Sequence, residues 1–191
     1  MTTTEYRPTT PPTSSNKTRA LLDAGIAAGP VYLVTALAQA LTRPGFDAAR
    51  TDVSLLAIGP HGWIQVANFV VTGLLVIACA AGLKSKLVAT FGAGLIAAGV
   101  FVADPAGTAI SWHGALHIVT AGIGFLAFTA ACLARKSLYS RVTGIAFLAG
   151  FAGVTTGSTS PVVVVGFWVA VALAFAWLAV TAVHAQRTTN H

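Results

Sequence analysis

The sequence predicts an all-α integral membrane protein, a bundle of six transmembrane helices, on three observations. Charges are scarce, hydropathy is high, and the apolar residues come in long unbroken runs. Of the 191 residues, 55% are apolar and 8% are charged, and mean hydropathy is +0.79. A water-soluble domain carries about 25% charged residues, so water is not the main solvent of this surface. Inside a bilayer every backbone amide must be paired internally, which leaves helices or a closed barrel. Runs of 17 residues or more without dyad alternation exclude the barrel.

The chain opens with MTTTEYRPTTPPTSSNKTR. Threonine, proline and serine dominate these residues, and they lack the apolar core of a signal peptide. Residues 1–19 are therefore expected to be a disordered cytoplasmic tail, with the first apolar run as an uncleaved anchor. The transmembrane domain is expected over residues 20–185. Its helices are expected at Ala20 to Leu41, Gly62 to Leu83, Leu87 to Ala103, Trp112 to Leu133, Leu138 to Gly157 and Pro161 to Ala185. Residues 186–191 form a short C-terminal tail.

Six crossings place Arg7, Lys17, Arg19, Lys84, Lys86, Arg135, Lys136, Arg141 and Arg187 on one side and leave Arg43 and Arg50 on the other. Basic residues in short loops mark the cytoplasmic face, so both termini are expected inside a cell membrane. The formal net charge of +6 is thus a topology signal. The basic residues form no single face, and nucleic acid is excluded as a partner. The bilayer itself is the expected partner.

Three packing features follow from spacing. Ala89, Ala93 and Ala97 form one row of small residues, and Ala149, Gly153 and Gly157 form another; such rows let helices approach closely. Cys79 and Cys132 sit inside apolar runs and read as small buried hydrophobes. Asp23, near Lys17 and Arg19, reads as an interfacial charge at the start of the first helix.

Polar residues within the runs carry the functional signal. Tyr32, Thr35, Gln39 and Thr42 share a face of the first helix, His61, Gln65, Asn68 and Thr72 a face of the second, and His113, His117 and Thr120 a face of the fourth. All three stripes gather toward the outer end. Polar groups at depth usually face a cavity or pathway, and an outward-opening polar cavity is the expectation. Gln39, Gln65, Asn68, Trp63 and Trp112 are the candidate ligand-binding residues. Two short outer loops add Asp47, Arg50, Asp52, Ser54 and Asp104.

His113 and His117 lie one turn apart, a spacing at which two imidazoles can hold one metal ion, with a carboxylate such as Asp104 or Asp52 as third ligand. A divalent metal such as zinc there would activate water. Asp104, His113, Asp52 and His61 acting as acids and bases without metal is a second reading. A third is structural, with the aspartates serving arginines and helix N-terminal amides.

The stretches FDAARTDVSLLAIGPHGWIQVANF and VFVADPAGTAISWHGALHIVTAGIG resemble a bacterial and archaeal membrane family, domain of unknown function 998 (DUF998). The matching positions are Asp47, Arg50, Ser54, Gly62, Trp63, Gln65, Asn68, Asp104, Pro105, His113, Gly114 and His117. The resemblance implies a six-helix unit over roughly residues 20–185 and no particular activity. A looser similarity is to membrane hydrolases that include alkaline ceramidases and progestin-receptor-like proteins. It implies zinc held by Ser54, Asp104, His113 and His117, although here both histidines fall on one helix.

Two functions are carried forward. One is a membrane-embedded enzyme acting on a lipidic or apolar substrate through the outer Asp/His cluster. The alternative is a non-enzymatic membrane protein that binds or transports a small ligand or scaffolds a partner.

Overall fold

A computed structural model describes residues 14–189. Its helices are α1 (Ser14–Thr42), α2 (Gly62–Leu83), α3 (Lys86–Val100), α4 (Trp112–Leu133), α5 (Leu138–Thr155) and α6 (Pro161–Thr189), with a single 3-10 turn over Val53–Ala57 between α1 and α2. No strand is present among the described residues. Five helices, all but α3, are long and apolar enough to cross a membrane. The all-helical expectation holds, and α2 and α4 have the expected limits.

The other limits differ. α1 begins six residues earlier than expected, at Ser14, inside the segment read as a disordered tail; the remainder of that tail lies outside the described residues. α6 runs on to Thr189. α3 stops at Val100, short of Ala103, and the chain then continues without helix to Ser111. Pro105 lies in that segment and disfavours helical geometry at the residue before it. At 15 residues, α3 is about 22 Å long, less than the roughly 30 Å of a hydrocarbon core.

Each helix packs on its neighbours in sequence, and α6 returns to α1, so the six form a closed ring. Large aliphatic residues point outward all around it, among them Val34, Leu41, Leu74, Ile123, Val169 and Val180. That surface suits hydrocarbon rather than water. The axis is filled by aromatic rings, to which every helix contributes. Phe91 of α3 lies 4.8 Å from Phe128 of α4 and 5.6 Å from Phe147 of α5, between ring centroids. Tyr32 of α1 meets Phe69 of α2 and Phe175 of α6 at 5.9 and 5.2 Å. Offset and edge contacts of this kind are the favoured aromatic geometries, and they close the ring at mid-height.

Helices touch most closely through glycines outside the rows read from spacing. A Cβ on Gly73 would stand 2.6 Å from the Gly92 carbonyl, and one on Gly94 would stand 3.0 Å from the Gly124 Cα. Ala93 and Ala149 are exposed instead. Rows spaced by four residues coexist on each helix, and spacing alone does not say which faces a neighbour. Cys79 and Cys132 are free and fully buried, as expected. Asp23 is exposed, and its carboxylate accepts a hydrogen bond from Gln186 of α6 at 2.7 Å rather than pairing with a cation.

Candidate functional site

At the ring end that carries Asp52 and Asp104, above the aromatic closure, lies a cavity of about 350 Å³. Its walls come from all six helices, and its rim from the residues around the 3-10 turn and from the irregular segment after α3. The deep part is lined by Phe69, Phe91, Phe125, Phe147, Phe151 and Phe175. The polar lining includes Tyr32, Arg50, Asp52, Ser54, Asp104 and His117, together with Thr51, Thr108, Thr155, Ser158 and Thr159.

The rim is built by local capping. Asp52 caps the 3-10 turn, one carboxylate oxygen accepting the Ser54 amide at 2.9 Å. Withdrawal from water raises its carboxyl above the ordinary range; the Ser54 amide and nearby His117 offset this in part. Asp104 is tied to the start of α4. It accepts the Ser111 amide at 2.7 Å and the Ser111 hydroxyl at 2.6 Å. Those two bonds, with smaller contributions from His113 and His117, hold its carboxyl below the ordinary range. Ser111 also accepts the Gly114 amide at 3.1 Å as the N-cap of α4. Two glycines make the rim compact. A side chain at Gly114 would collide with the Asp104 carboxylate, and one at Gly62 with the Ala57 carbonyl.

His117 is 6% exposed. Its Nδ1 lies 2.7 Å from the Phe101 carbonyl and 3.1 Å from that of Ala98. A carbonyl only accepts, so Nδ1 carries the hydrogen. Nε2 has no partner among the described residues, and in the neutral ring it is an acceptor. Because α3 ends early, these carbonyls are free to fix the imidazole.

The expected residues therefore separate. Asp52, Asp104 and His117 share the cavity. His61 is exposed; only its carbonyl is engaged, accepting from Gln39 Nε2 at 2.8 Å. His113 is exposed too, its Nδ1 lying 3.2 Å from the Ser111 hydroxyl. Neither lines the cavity. The metal set of His113, His117 and Asp104 is not assembled: no three His, Cys, Asp or Glu side chains are grouped to hold a metal ion among the described residues. His117 turns its Nδ1 into backbone, while His113 points outward beyond Ser111.

The polar stripes of α1 and α2 are largely internal to the scaffold. Gln39 also donates to the Leu56 carbonyl at 3.1 Å, which ties the 3-10 turn to α1. Arg43 donates to the Leu55 and Leu56 carbonyls, both at 3.2 Å. Asn68 donates to the Tyr32 carbonyl and to Gln65, both at 3.1 Å, and accepts from Thr72 at 3.3 Å. Gln65 is fully buried, and its side-chain nitrogen lacks a partner. Trp63 and Trp112 are 68% and 69% exposed, positions typical of aromatic anchors at a membrane interface. Arg50 pairs loosely with Asp47 at 3.7 Å, both exposed, as the structural reading expected.

Sequence reading did not find the phenylalanine-lined part of the cavity. The available signal was at least one ring-bearing residue near the middle of every apolar run.

No curated protein and no solved structure matches the chain. Residues 26–184, which take in the ring and its cavity, match the family described as protein of unknown function (DUF998), and the chain belongs to that family.

Proposed function

We propose that this multi-pass protein binds an amphipathic molecule at the outer side of the membrane, apolar part among the phenylalanines and polar part at Asp52 and His117. The carrying observation is the cavity, apolar in its depth and rimmed by two carboxylates and a histidine with a free nitrogen. Pockets of roughly 300–1,000 Å³ with mostly apolar walls and a few convergent polar groups are the usual form of small-molecule sites. The orientation belongs to the same reading. All six helices cross, α3 included, and Lys84, Lys86, Arg135, Lys136 and Arg187 lie at the end opposite Asp52 and Asp104. The positive-inside rule makes that basic end cytoplasmic, in a cell membrane.

The test is retention. Protein purified under mild detergent is washed, and bound amphiphiles are identified by native mass spectrometry. Ala121→Trp, which fills the cavity wall, is compared with Leu126→Trp on the lipid-facing side of α4. A ligand retained by wild type and Leu126→Trp but lost from Ala121→Trp supports the reading. Equal retention by all three sinks it.

A second reading, an enzyme working on that molecule, is favoured by one observation. Asp52 has a raised proton affinity, and His117 offers a fixed acceptor nitrogen in the same cavity. One is suited to donate a proton and the other to take one. Asp52→Asn and His117→Gln would then abolish turnover while the ligand is still retained. Turnover that survives both substitutions excludes the acid–base role.

A further inference from the structure

Part of the cavity lining is also exposed on the outside of the ring. Ile110 and Ile118 line the cavity and are also 71% and 41% exposed on the outer surface of the ring. Thr155 at the end of α5 does both as well. The lining thus continues onto the exposed surface beside the outer ends of α4 and α5.

Size limits what fits. At about 350 Å³, near the lower end of the roughly 300–1,000 Å³ usual for small-molecule sites, the cavity has room for one slender apolar group, such as a single alkyl chain. A two-chain membrane lipid is several times larger.

Charge limits the head. Asp104 is held ionised by its two bonds from Ser111. Asp52, held by the Ser54 amide with a further contribution from the Ser54 side chain, lines the cavity, and His117 presents Nε2, an acceptor in the neutral ring. The one cation in the lining, Arg50, is drawn toward Asp47 outside the cavity. An anionic head would meet the ionised Asp104, whereas an ammonium would meet acceptor oxygens of Asp104 and Asp52 and Nε2 of His117. His117, only 6% exposed and part of the cavity lining with no partner for Nε2 among the described residues, separates this arrangement from a mere acidic surface.

Resting on the amphiphile reading above, we infer that the ligand is a single-chain amphiphile with a protonated amine head, admitted from the outer leaflet between α4 and α5. Its ammonium sits among Asp52, Asp104 and His117, and its chain follows Ile118 toward Phe125 and Phe147.

Full-length protein in phosphatidylcholine nanodiscs tests this with dodecylamine bearing a terminal diazirine. After illumination, labelled peptides are mapped by mass spectrometry. Competition by unlabelled dodecylamine, dodecanol and dodecyl phosphate is compared at equal mole fraction in the bilayer. The expected result is saturable labelling of α4 near Ile118–Phe125 and of α5 near Phe147–Val154. Dodecylamine should compete at least about tenfold better than dodecyl phosphate, and also better than dodecanol. Asp52→Asn combined with Asp104→Asn should remove that preference while labelling persists. If the double variant does not fold, the wild-type competition series decides. Saturable labelling with equal competition by all three overturns the amine head and leaves amphiphile binding standing. Labelling of lipid-facing residues alone, without saturation, overturns both.

Discussion

Ser111 makes three side-chain contacts, with Asp104, His113 and the Gly114 amide. Ser111→Ala should lower stability by about 1 kcal/mol through loss of the helix cap, read as a drop in thermal unfolding temperature. It should also free Asp104 and return its carboxyl toward the ordinary range. The two aspartates then give opposite pH signatures. Asp104 has a lowered carboxyl value, so its stabilisation is present above the ordinary carboxylate value of about 3.9 and is lost as pH falls through the lower folded value. Asp52 has a raised one, so its stabilisation is present below the ordinary value and is lost as pH rises through the folded value. Unfolding temperature against pH should therefore lose its acid-side slope in Asp104→Asn and its slope on the higher-pH side in Asp52→Asn. Unchanged profiles would show that neither carboxyl is coupled to folding. At this scale the sequence was half legible. The residue types and their neighbourhood could be read from short loops, which place Asp104 within a few residues of His113. Which nitrogen of His117 faces the cavity could not, because that depends on where α3 stops.

Between elements, the glycine crossings set the ring. Gly73 and Gly92 face each other's carbonyls, at 2.6 and 2.8 Å for an added Cβ, so the α2 and α3 backbones lie in contact. Overpacking a tight site typically costs about 1–3 kcal/mol, and Gly73→Val should fall at the upper end of that range. Ala93→Val, on the exposed side of α3, should change stability little. Thermal melts of the two variants in one detergent give the comparison, and equal losses would mean that the α2–α3 contact lies elsewhere. Helix positions were legible because apolar run length reports the bilayer directly, as α2 and α4 illustrate. Helix faces were less so. In lipid both sides of a helix are apolar, and the contrast that marks the buried stripe of a soluble helix is absent. Ala93 and Ala149 accordingly lie on exposed faces, whereas Gly153 of the second row does approach α6, an added Cβ standing 2.9 Å from Val163.

For the whole molecule, topology can be checked by labelling single cysteines from either side. Lys84→Cys and Lys136→Cys should react from the cytoplasm, and Ala106→Cys and Ser158→Cys from outside. Ala106→Cys labelled from the cytoplasm would invert the bundle and place the cavity at the inner face. Charge scarcity and loop charges made the architecture legible, whereas ring closure by α6 on α1 and the cavity above the aromatic layer are non-local and left no periodic trace. The short α3 has one more consequence. If α3 crosses, as proposed above, a helix of about 22 Å in a hydrocarbon layer of about 30 Å would produce hydrophobic mismatch, which bilayers relieve by thinning around the short element. Lipid along the α3 flank should then be compressed, with headgroups drawn down toward the segment that carries Asp104. The protein would favour thin membranes over thick, sterol-rich ones, and would concentrate where the bilayer is already thin.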